Sequence, residues 1–231
     1  MGEKDALMID LTLAHTTLTL LPEKAIYLPD WQTLLVADLH LGKSETFQHY
    51  GIPIANRVNQ DTLDRLSQLC QRFRPQRLVI LGDLFHSRLA LVDEVLEPWA
   101  AFLHGTDADV TLLVGNHDRP FAHHLPQIPN QQITETLALG TLFLSHDPQP
   151  QANHLNLCGH VHPCLKLTTR LDSLRLPCFY VDRPQNLILL PSFGSFTGGY
   201  EVSLKLGTVA YAIAEGTLIP FEGKPSRRLS R

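Results

Sequence analysis

Five short apolar runs, each closed by a polar cluster, constrain this chain more than any other feature. They are "TLLVADLH" (33–40), "RLVILGD" (77–83), "TLLVGNH" (111–117), "TLFLSHD" (141–147) and "LNLCGHVH" (155–162). Runs of four or five apolar residues read as strands buried on both faces. Between the first two, "VNQDTLDRLSQLCQRF" places Val58, Leu63, Leu66, Cys70 and Phe73 near helical spacing, and Pro75 stops the helix. "VDEVLEPWAAFLHG" reads as a second helix, interrupted at Pro98 and ended at Gly105. Strands alternating with helices argue for an α/β sheet, and sites in such sheets lie beyond the carboxyl ends of the strands. All five polar clusters sit at those ends. The flanks, "HTTLTLLPEKAIYLP" and "YEVSLKLGTVAYAIAEGTLIPF", read as antiparallel strands that should complete a second sheet against the first.

The chain's 231 residues fit one domain over 1–223, followed by a basic, disordered tail over 224–231. No apolar run approaches the ~20 residues of a membrane span, and the N-terminus lacks a signal-peptide pattern, so a cytoplasmic location is expected. Gly2 is not read as a myristoylation site, because Ala6 stands where Ser or Thr is required. The net charge is -4 with neutral histidines, which is not the footprint of a basic nucleic-acid protein. Any polyanion would need a local patch or bound cations. Cys70, Cys158, Cys164 and Cys178 form no C-x-x-C pair and read as reduced core residues. The 12 histidines are the one unusual feature of the composition.

Asp38, His40, Asp83, Asn116, His117, Asp118, His146, His160 and His162 stand at the strand ends. Carboxylate, amide oxygen and imidazole without thiolate suit manganese, iron or zinc rather than a calcium cage. Asp38, His40, Asp83, Asn116, His146, His160 and His162 are too many ligands for one ion. Two ions sharing one carboxylate would use them all. Any one of these residues alone would be a strand-end turn residue or a satisfied structural histidine. Clustered without metal, they would carry buried carboxylates and desolvated imidazoles.

In this order, "DLH", "GDLFH", "GNHD", "SH" and "GHVH" resemble the calcineurin-like metallophosphoesterases. "ADLHLGK", "GIPIANR", "LGDLFHS", "GNHDRPF", "GHVHP" and "LPSFGSFTGG" extend the resemblance to a bacterial branch, the ligase-associated DNA damage response endonucleases. The resemblance implies an α/β fold: a two-sheet β-sandwich flanked by helices, with no separate cap. It implies a first metal on Asp38, His40 and His162, a second on Asn116, His146 and His160, and Asp83 bridging them. His160 and His162, in an extended stretch, would serve different ions, with Gly159 allowing close backbone approach. His117 would assist the leaving oxygen, oriented by Asp118, while metal-bound hydroxide attacks phosphorus. The branch implies two divalent ions, manganese foremost, and single-stranded DNA as the phosphodiester cut, in DNA repair alongside a DNA ligase and a repair helicase.

Lys43, Arg88 and Arg119 follow motif strands and are candidates to reach a phosphate, with surface solvation the competing role. His86 is either a hydrogen-bonding neighbour of the site or a core or surface residue. Phe193 and Phe196 pack in the core or stack on bases. Two other readings stand beside the nuclease: an esterase for a small nucleotide or lipid-linked diphosphate, which needs an enclosing lid, and a non-catalytic scaffold of the same fold, which the intact ligand set disfavours.

Overall fold

A computed structural model describes residues 8–52, 54, 57–124, 131–170, 172–195 and 197–224. Phe196 and most of the expected C-terminal tail lie outside the described residues. The first sheet runs in order β1 (Ile9–Leu13), β2 (Thr16–Leu21), β3 (Ala25–Leu28), β4 (Thr33–Val36), β5 (Arg77–Ile80), β6 (Asp109–Leu113) and β7 (Gln131–Thr134). Strands β4 to β7 are parallel, and β1 to β4 are antiparallel. The second sheet contains β8 (Thr136–Leu139), β9 (Leu142–Ser145), β10 (Leu155–Cys158), β11 (Pro163–Thr168), β12 (Ser173–Asp182), β13 (Leu187–Leu189) and β14 (Tyr200–Glu201). The sheet branches at β12, which also pairs with β15 (Thr208–Ala214), and β15 pairs in turn with β16 (Thr217–Glu222).

All five apolar runs are strands, but they do not share one sheet. Strands β4, β5 and β6 belong to the first sheet, and β9 and β10 run parallel to each other in the second. The N-terminal flank also differs from expectation: it joins the first sheet through β4. Only the short turn Pro29–Trp31 and its cap Gln32 separate β3 from β4, and sequential strands so closely linked pair with each other.

Alternation along each run explains burial on both faces. Leu35, Val79 and Leu113 meet Leu144, Leu157 and Phe179 between the sheets. Leu34, Val36, Leu78, Ile80 and Leu112 point the other way, onto helices α2 (Arg57–Phe73) and α3 (Asp93–Gly105). Pro98 lies inside α3 without interrupting it. The buried Val95, Trp99, Phe102 and Leu103 dock the helix on both sides of Pro98, and this burial outweighs one missing backbone hydrogen bond. Among the described residues, helices α2 and α3 pack on the first sheet. The outer face of the second is covered instead by Val202, Leu204 and Phe221. No described helix is long and apolar enough to cross a membrane.

Beyond the strand ends, backbone bonds knit the loops together. Asp38 N–H donates to Gly82 O (3.1 Å), His40 N–H to Asp83 O (2.9 Å) and Leu41 N–H to Leu84 O (2.8 Å). The fully buried Asp118 carboxylate accepts from the amides of Phe85 (3.1 Å), Leu84 (3.2 Å) and Gly115 (3.2 Å). Burial pushes Asp118 up to about 6, although these amides favour its charged form. Replacing Asp118 with Ala orphans three amides, which costs about 3 kcal/mol and lowers the melting midpoint by about 6–12 °C in a chain of this size. Calorimetry checks this; a change below about 1 kcal/mol would mean that water satisfies the loop.

Candidate metal centre

The chain must turn sharply at each strand end to aim its polar side chains into one place. Asp38 (φ 55°), His40 (50°), Asp83 (51°), His160 (64°) and His162 (50°) all adopt the left-handed backbone region. Non-glycine residues there cost about 1–3 kcal/mol each and concentrate at functional sites. His160 and His162 are therefore not in an extended stretch. Val161 N–H reaches back to Gly159 O at 2.7 Å, and the turn sends the two rings to different neighbours. Glycine is required beside them: a Cβ on Gly159 would meet Asp38 Oδ2 at 2.6 Å, and one on Gly82 would meet His146 Nδ1 at 2.2 Å.

Three groups of donor atoms result, each spanning no more than 4.8 Å: Asp38, His40 and His162 in the first, Asp83, His146 and His160 in the second, and His40, His86 and His117 in the third. In the first, His162 Nε2 is 3.3 Å from both Asp38 Oδ1 and His40 Nε2. In the second, Asn116 Oδ1 lies 2.9 Å from both His146 Nε2 and His160 Nδ1. Asp83 stands between these two groups, with Oδ2 4.0 Å from His40 Nε2 and Oδ1 3.5 Å from His146 Nε2. Thus Asp38, His40, Asp83, Asn116, His146, His160 and His162 come together at the strand ends. No described cysteine joins any of the three groups, and Cys158 and Cys164 are buried free thiols.

The outward nitrogens orient the rings. His146 Nδ1 donates to Leu81 O (2.9 Å) and His162 Nδ1 to Gly198 O (3.2 Å), leaving each Nε2 facing inward. The carboxylates are held by amides: His160 N–H donates to Asp38 Oδ2 (3.0 Å) and His117 N–H to Asp83 Oδ1 (2.9 Å). Burial, followed by the charges of His162, His117, His86 and Lys43, pushes His40 down to about 2. Burial works against a charged His162 too, but its hydrogen bond to Asp38 and that carboxylate's charge outweigh it and raise the group. Burial likewise raises Asp83. Asp38 and Asp83 are 0% and 2% exposed. Lone pairs of imidazole, amide and carboxylate converge on the same two spaces. Buried acceptors so arranged are compensated by cations, so the donor set fits a pair of divalent ions.

His117 belongs to the third group and lies beside Asp83, its Nε2 3.9 Å from Oδ2. Its Nδ1 donates to His86 O at 2.6 Å, which leaves Nε2 facing the site. Asp118 does not orient this ring as expected, because its oxygens are taken by the amides of Leu84, Phe85 and Gly115. His86 proves to be part of the site: its ring stacks on His117 at 5.2 Å and sits edge-on to His40 at 5.5 Å. Among the described residues, its buried Nδ1 has no hydrogen-bond partner. Asp147, not singled out from the sequence, approaches His160 Nδ1 at 3.6 Å. It follows His146 directly, and that adjacency was its only signal.

Of the basic candidates, Lys43 opens helix α1 (Lys43–His49), near enough for its charge to act on His40 and His86. Its ammonium lies 5.8 Å from the Phe47 ring centre. Arg119 turns to Glu135 at 3.3 Å on the exposed surface, and Arg88 is exposed on a short turn over Arg88–Ala90. Phe193 is fully buried beneath the Arg65 guanidinium, 4.1 Å from its ring centre, so it is a core residue and not a platform for bases.

The calcineurin-like phosphoesterase family model matches residues 32–160, the span that carries the site. Among solved structures, the Pseudomonas putida nuclease MPE is similar at 36% identity and a TM-score of 0.79, over 93% of this chain and 100% of that one. Yfce, a phosphoesterase from E. coli, aligns at 16% identity and a TM-score of 0.43, over 83% of this chain and 99% of that one. No curated protein matches the sequence. With its family match spanning more than half its length, the chain belongs to the calcineurin-like phosphoesterases and is a metal-dependent phosphoesterase.

Proposed function

We propose that this protein is a dinuclear phosphodiesterase that cuts single-stranded DNA within the strand, with manganese as its working metal. The observation that carries the reading is the Asp83 carboxylate, which turns one oxygen toward His40 of the first donor group and the other toward His146 of the second, with the His117 ring 3.9 Å away. Asp38, His40 and His162 would hold one ion, Asn116, His146 and His160 the other, and Asp83 both. Bound there, the ions polarise phosphoryl oxygens and make hydroxide available near neutral pH. The likeness to a nuclease over nearly the whole chain supports a nucleic-acid phosphodiester as substrate. A role in DNA repair alongside a ligase and helicase belongs to the same reading, on the motif resemblance alone.

The remaining chemistry falls to the protein. The His86 carbonyl holds His117 Nδ1–H, so Nε2 is the atom that meets the scissile phosphate. A proton on Nε2 would pass to the departing sugar oxygen. The His117 amide, donating to Asp83, ties the position of this ring to the carboxylate between the donor groups.

A circular single strand has no ends, so cleaving it in manganese tests both the metal site and the internal cut. The native protein should linearise it, and Asp83→Ala should abolish cleavage. His117→Ala should slow it by about 10²–10⁴-fold, and slow an aryl diester less, because a good leaving group needs no proton. An intact circle with a hydrolysed aryl diester would point to a small nucleotide substrate instead.

Ion binding should also be visible without turnover. Manganese at about 100 times its dissociation constant stabilises the native state by about 2.7 kcal/mol, which raises the melting midpoint by about 5–10 °C. Asp83→Ala should lose most of that shift. No shift with manganese, iron or zinc would overturn the dinuclear reading.

A further inference from the structure

A pocket of about 270 Å³ opens against the metal centre, sharing His162 as a wall. Two cations line it from opposite sheets. Lys24 comes from the turn between β2 and β3, and Arg175 from β12. The pocket is too small for a whole drug-sized ligand, for which volumes of about 300–1,000 Å³ are usual. Its other lining groups are small or hydroxylic, among them Ser195, Thr197 and Gly198.

Neither cation is neutralised among the described residues. Lys24 makes no ion pair or side-chain hydrogen bond there, and Arg65 adds a like charge nearby. Burial, with that neighbouring charge, pushes Lys24 down to about 8, so the ammonium is partly desolvated without a compensating anion. Arg175 donates to the Gly199 carbonyl at 2.7 Å, which leaves further guanidinium donors. The carboxylate closest in register, Glu201, is taken by Lys166 at 3.7 Å, the residue directly opposite Arg175 on β11. In a chain of net charge -4, two uncompensated cations on one pocket beside the metal centre are a local reversal of sign. Paired guanidinium, ammonium and hydroxyl donors are the chemistry that holds a phosphate.

We infer that this pocket is a second phosphate subsite, in which Lys24 and Arg175 hold the phosphate next to the scissile one on the same strand. The inference rests on the nuclease reading. It explains how a chain of net charge -4 keeps a strand in register: the metals take one phosphate, and this pocket takes its neighbour. Phosphate contacts of this kind position the strand and carry no sequence information.

The test compares the native protein with Lys24→Gln, Arg175→Gln and the double variant, on an oligonucleotide and on an aryl phosphodiester that has no second phosphate. The double variant should raise KM for the oligonucleotide at least tenfold, with little change in kcat, and leave the aryl diester untouched. Lys24→Arg should retain most of the affinity. In a His117→Ala background, the slope of log affinity against log salt should shrink by about 0.7 in the double variant, since one neutralised phosphate on a single strand contributes about that much. Native cleavage of the oligonucleotide that the variants leave unchanged overturns the subsite alone. Equal losses on both substrates also overturn it, because they show a disturbed metal centre. No oligonucleotide cleavage by the native protein overturns the nuclease reading and the subsite with it.

Discussion

The His160 amide donates to the Asp38 carboxylate, 3.0 Å from Oδ2, and so joins the tip of one sheet to the tip of the other. The site depends on this contact. Asp38 follows a strand of the first sheet, and His160 a strand of the second. A buried carboxylate needs hydrogen bonds or a cation, and here it draws the two strand ends to within reach of one another. The His117 amide does the same for Asp83 within the first sheet. With both carboxylates fixed, the imidazoles from both sheets have common centres to face.

Local stability is given up to build those centres. Five of the seven candidate ligands sit in a backbone region that L-residues disfavour. What offsets this is the packing behind them. The strands are buried on both faces, so their ends cannot drift. Asp118 illustrates the arrangement. It lies within the motif yet holds three loop amides rather than the neighbouring imidazole. Rigid loops fix ligand geometry before any ion arrives, and preorganisation of this kind keeps a metal site from costing reorganisation during reaction.

The order of the apolar runs, and the polar residue closing each, made the five strands and seven ligand candidates readable before any fold was known. A run of four apolar residues can be buried only between layers, and a strand end is where polar groups gather. Helix α2 was readable from its apolar spacing. Helix α3 was readable too, but not its passage through Pro98, because that depends on how much surface Trp99 and Phe102 bury. His86 could not be separated from an ordinary core histidine, since nothing local shows that its ring lies against His117.

The sequence by itself determined which chemistry is possible: carboxylate, amide and imidazole at successive strand ends, with no thiolate among them. Only the tertiary structure decided how those groups divide. It put three motif strands in one sheet and two in the other. It turned His160 and His162 apart through left-handed backbone, and gave His117 a carbonyl partner in place of Asp118. It also brought Lys24 and Arg175 to one pocket from positions far apart in the chain. The physical reason is that side-chain identity is local, whereas burial, pairing and direction depend on which distant element packs alongside.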